Sequence, residues 1–67
     1  MGKYMVKNIW SDVIASSHRN VKNAILTARR MIGIGWFVFD TDGNEWDFDF
    51  DGRPVIYQYP DNDGVTQ

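Results

Sequence analysis

Trp36-Phe37-Val38-Phe39-Asp40-Thr41-Asp42-Gly43-Asn44-Glu45-Trp46-Asp47-Phe48-Asp49-Phe50-Asp51-Gly52-Arg53-Pro54-Val55-Ile56-Tyr57 is the stretch whose reading decides the fold. Apolar runs alternate with turn residues at short, even intervals, which is the pattern of an antiparallel meander. Asp42-Gly43 and Asp51-Gly52 each match a two-residue hairpin loop, because Asp and Gly tolerate the positive φ that such a loop needs. With those two loops, Phe39 faces Trp46 and Phe37 faces Phe48. Phe48 then lies beside Val55, and Trp46 beside Tyr57. The aromatics gather on one side, which predicts a single apolar face. Pro54 has no amide for a ladder and marks the last strand as an edge.

The same register assigns the opposite face. It carries Trp36, Val38 and Asp40, then Glu45, Asp47 and Asp49, then Ile56 and Gln58. Asp40 would stand across from Glu45, a like-charge pair that disfavours folding.

Upstream, Lys3 to Trp10 reads as a strand, and Ser11 to Ser16 as a connection without assigned structure. Val21, Ala24, Ile25, Ala28, Met31 and Ile32 recur at three- and four-residue spacing, predicting a helix from about His18 to Ile32. Ser16 or Ser17 is the expected N-cap, and Gly33 and Gly35 the stop. The expected fold is α+β, a single helix on the aromatic face of an antiparallel meander, in the order β-α-β-β-β. The point at which strand one joins the sheet stays open. Residues 1–60 would form one domain and 61–67 a flexible tail.

At 67 residues there is room for one domain. The absence of cysteine excludes disulfides and thiolate zinc sites. No apolar run approaches the roughly 18 residues of a membrane span, so the expectation is a soluble, cytoplasmic protein without membrane contact. The net charge of −2 hides a segregation. Up to Phe37 the bases Lys3, Lys7, Arg19, Lys22, Arg29 and Arg30 face the single acid Asp12. From Val38 onward Asp40, Asp42, Glu45, Asp47, Asp49, Asp51, Asp61 and Asp63 face Arg53 alone.

Catalysis finds little support. His18 has no nucleophile that the sequence places beside it, and paired carboxylates need a cleft that separates their pKa values. Asp40, Asp42, Asn44 and Asp51 have the spacing of a calcium loop, but Glu45 stands where that loop needs a glycine turn. The helix carries bases, yet Asp40, Asp42 and Glu45 would meet phosphates repulsively, so direct DNA binding is not expected. Neither a metal nor a cofactor is expected.

The plainer reading of the acidic face is that it keeps a small protein soluble. The sharper one makes Trp36, Asp40, Glu45, Asp47 and Asp49 a partner-binding site. On that reading the protein is a non-enzymatic inhibitor or modulator. It occupies a basic, nucleic-acid-handling surface of a larger protein, with Trp36 as the apolar anchor. Reversing Asp47 and Asp49 to lysine would then abolish capture and leave the fold intact. Self-association, basic helix against acidic sheet, is a further mode.

Two resemblances bear on this reading. By composition and size the chain resembles the host-takeover and anti-defence proteins of bacteriophages. Separately, Asn23-Ala24-Ile25 and Ala28 in the helix, followed by Trp36-Phe37, resemble the dodecins over about the first 40 residues. That resemblance implies an oligomeric flavin-binding protein with Trp36 stacked on the flavin. The chain departs from it at Asp42-Gly43, which cuts the second strand short.

Overall fold

A computed structural model describes residues 2–58. Its elements are β1 (Tyr4–Asn8), β2 (Ile14–His18), α1 (Val21–Arg30), β3 (Trp36–Phe39), β4 (Glu45–Phe48) and β5 (Pro54–Ile56). The fold is α+β, one helix on one antiparallel sheet, with strand order β2-β1-β3-β4-β5. Strand one therefore lies inside the sheet, between β2 and β3. The proposed tail at 61–67 lies outside the described residues.

The unassigned connection hides a strand. Asn8 donates its amide to Val13 and accepts from the Asp12 amide, closing a turn in which Asp12 takes a φ of 63°. Aspartate tolerates that left-handed conformation better than most residues. The chain then returns as β2, with a register shift between Val6↔Ser16 and Lys7↔Ile14. Because residues 14–18 pair with β1, the helix starts later than its apolar spacing alone predicts. Asn20 is the N-cap, in place of Ser16 or Ser17, and its side chain accepts from the Asn23 amide at 3.2 Å. Such a cap satisfies one of the free amides of the first turn.

Both hairpins differ from expectation by one residue. The observed pairs are Val38↔Trp46 and Phe39↔Glu45, then Trp46↔Ile56, Asp47↔Val55 and Phe48↔Pro54. Each loop has three residues, Thr41-Asp42-Gly43 and Phe50-Asp51-Gly52, with the glycine at φ 86° and 80°. This is the type I turn followed by a left-handed residue. The first aspartate of each loop selects it. Asp40 Oδ1 accepts from the Asp42 and Asn44 amides, and Asp49 Oδ1 from the Asp51 and Arg53 amides, all at 2.8–2.9 Å.

A one-residue slip moves side chains to the other face. On β3 it is Val38, not Phe37 and Phe39, that faces the helix. Val6, Ala24, Ile25 and Val38 form the buried core, with Tyr4, Val21, Ala28, Met31, Trp36, Trp46 and Phe48 packed around it. Val6 and Val38 are paired neighbours on adjacent strands and are fully buried. The Tyr4 and Trp46 rings meet edge to face at 5.6 Å. β5 is an edge strand, and its Pro54 occupies the first position, where no ladder amide is required.

Candidate functional site

The five residues expected to share one acidic face are separated by this register. Asp40 is 5% exposed and lies on the helix side of the sheet's end. Besides the two loop amides, its Oδ2 accepts from Asn44 Nδ2 at 3.1 Å and Trp46 Nε1 at 3.0 Å. The Trp46 bond, followed by those from Asn44 and Asp42, outweighs the cost of partial burial and holds its pKa down to about 2. Asp40 is thus a structural anion, not a presented charge. It does not face Glu45, whose partner across the ladder is Phe39.

Trp36 is also withdrawn. Its ring packs against the core and its Nε1 donates to the Ile32 carbonyl at 3.2 Å. The indole is therefore partly buried on the helix side of the sheet. Asp49 builds the second loop, as described above. Asp47 lies opposite Val55, but its Oδ1 turns back to accept from the Phe48 amide at 2.7 Å and from Arg29 Nη2 at 3.1 Å.

That last arrangement has a local cause. The β3–β4 ladder stops after Val38↔Trp46, and Asp47 caps the Phe48 amide where the next rung would form. A cleft of about 250 Å³ opens there, lined by Ile25, Ala28, Arg29, Trp36, Phe37, Val38, Trp46 and Asp47. Arg29 closes one side, pairing with Asp47 and lying 5.3 Å from the Phe48 ring centroid.

The sheet face away from the helix remains. By register it carries Met5 and Lys7 from β1, Phe37 and Phe39 from β3, Glu45 from β4 and Val55 from β5. Phe37 and Phe39 are half-buried, with Lys7 across the ladder from Phe37 and Glu45 from Phe39. Lys7 also pairs with Asp12 at 2.8 Å, which lowers the Asp12 pKa through the hydrogen bond and the charge. Asp42, Asp49 and Asp51 form no ion pair with described residues.

Other chemistry is sparse. His18 Nε2 lies 2.9 Å from Ser16 Oγ, two residues away on β2, and neither ion pair above involves the imidazole. Among the described residues no three of His, Asp and Glu gather as a metal site. None of their helices is long and apolar enough to cross a membrane. No protein-family model, curated protein or solved structure matches this chain.

Proposed function

We propose that this chain is a small, non-enzymatic protein-binding module that docks through the sheet face opposite its helix. The observation that carries the reading is that α1 covers one side of the sheet only. The other side keeps two phenylalanines, Met5 and Val55 between a lysine and a glutamate. An aromatic centre with charged flanks is the usual build of a protein interface, where a few large rings carry most of the binding.

The target is a larger protein with a basic surface, of the kind that handles nucleic acid, and occupying it inhibits or modulates that partner. Glu45 supplies a carboxylate at the contact. Asp42 and Asp51, exposed at loop tips, add long-range attraction to a basic target. The anchor residues are Phe37 and Phe39 in place of Trp36, and the steering charge comes from the loops in place of Asp40.

Capture by tagged protein at low and high salt tests this. Phe37→Ser/Phe39→Ser is expected to lose the partner at either salt, and Glu45→Lys to weaken capture chiefly at low salt. A partner retained equally by the double variant, with the fold intact by circular dichroism, would remove the sheet face from the account.

A further inference from the structure

Strand directions bring three loops to one end of the molecule. β1 and β4 run toward that end and β3 leaves from it, since Asn8 pairs with Trp36 while β3 and β4 are antiparallel. The β1–β2 turn, the α1–β3 connection and the β4–β5 loop therefore emerge together. Each carries bulky apolar side chains in water: Ile9, Trp10 and Val13, then Ile32 and Ile34, then Phe50, with Ile14 beginning β2. Ile32 and Phe50 are 96% and 104% exposed, Ile34 and Trp10 72% and 68%.

These loops are held, not loose. The Asn8 side chain ties two of them together, Nδ2 donating to the Ile34 carbonyl while Oδ1 accepts from the Trp10 and Ser11 amides. The Ile9 amide donates to the Gly35 carbonyl, and Asp49 fixes the third loop. Exposed apolar groups on preformed turns lose little entropy when they are covered, which favours association.

We infer that this end is the interface of a two-fold dimer of this chain. Charge selects the occupant. The outward side of α1 presents Lys22 and Arg30 with no acid in the helix, so two helices facing each other would repel. The apolar end, which includes Arg30 at the helix C-terminus, mixes Lys7, Arg30 and Arg53 with Asp12, Asp49 and Asp51 and carries no net charge among them. Two copies can therefore meet there around a symmetry axis without like charges prevailing. The area is also sufficient. Burying Trp10, Phe50 and the aliphatic tips would remove on the order of 700 Å² per copy, near the roughly 800 Å² of a standard interface.

Sedimentation equilibrium at micromolar to millimolar concentration tests the inference, with Ile32→Ser/Phe50→Ser as the variant because both side chains are in water and leave the core untouched. The wild type is expected to dimerise, to stay dimeric in high salt, and to become monomeric in the double variant. A wild-type monomer throughout the range would overturn it, as would a dimer that the variant does not weaken. Loss of the dimer in high salt would overturn it too, by assigning association to the basic helix and acidic loops. Co-sedimentation of a monomer with phosphatidylcholine vesicles would give the apolar end to a lipid surface instead. The two surfaces share Lys7 and Asp51, but the variants that test them, at Phe37, Phe39 and Glu45 and at Ile32 and Phe50, are separate, so either result can fail without the other.

Discussion

At the residue scale, Asp40 sets the first hairpin loop and ties it to Trp46 through a single carboxylate. Its four N–H donors all favour the carboxylate over the acid, so its folded pKa of about 2 lies below the ordinary value of 3.8. A depressed carboxylate contributes stability above its unfolded pKa and loses it as pH falls through the folded value. Thermal stability should therefore fall between about pH 4 and pH 2 in wild type. That slope should be shallower in Asp40→Asn, which should also melt lower at pH 7, because an amide cannot accept on both sides. Melting curves across that pH range check both points. Gly35 is a second sensitive position. It has φ 93°, and an added Cβ would lie 3.2 Å from both Asn8 Oδ1 and Trp10 Cε3. Gly35→Ala should cost about 1–3 kcal/mol, and more than Gly33→Ala, where φ is 98° but nothing lies within 4 Å. Denaturant titration of the two variants gives the comparison.

At the scale of elements, the hairpins separate what was legible from what was not. The meander, the edge strand at Pro54 and the helical stripe follow from alternation and spacing, and all three are present. The register does not follow from Asp-Gly, because that dipeptide suits two- and three-residue loops alike. The deciding signal is the repeat Phe39-Asp40-Thr41-Asp42-Gly43 and Phe48-Asp49-Phe50-Asp51-Gly52. In each, the earlier aspartate accepts the amides two and four residues on and selects the longer loop. Glu45 points from β4 to the side away from the helix, whereas Asp47, opposite Val55 in the ladder, turns its carboxylate to Arg29 of α1. Trp36 and Asp40 lie on the helix side, because a one-residue slip reverses β3 against β4. β2 leaves little trace in the sequence, because Ala15, Ser16 and Ser17 carry little strand propensity and a register shift breaks their alternation. The consequence is measurable. Val38→Ala should destabilise by about 2 kcal/mol because Val38 is fully buried, whereas two-residue loops would place it on the open face and make the change nearly neutral. At the helix start, Asn20→Ala should cost about 1 kcal/mol, or a fall of roughly 4–8 °C in Tm.

At the scale of the whole molecule, a single helix cannot cover both sides of a five-stranded sheet, and among the described residues the far face and one end keep apolar side chains. The account gives the face to a partner protein and the end to a second copy. Association of folded chains stabilises them by mass action, so Tm should rise with protein concentration in wild type and stay constant in Ile32→Ser/Phe50→Ser. Calorimetry over a range of concentrations would record this. The first assignment depends on which side of the sheet the helix covers. The most direct measurement is a nuclear Overhauser spectrum of the methyl and aromatic protons. The account predicts cross-peaks from Ala24 and Ile25 to the Val38 methyls and from Tyr4 to the Trp46 indole, with none from the helix to the Phe39 ring. Cross-peaks from Ala24 and Ile25 to the rings of Phe37 and Phe39 in place of Val38 would contradict it.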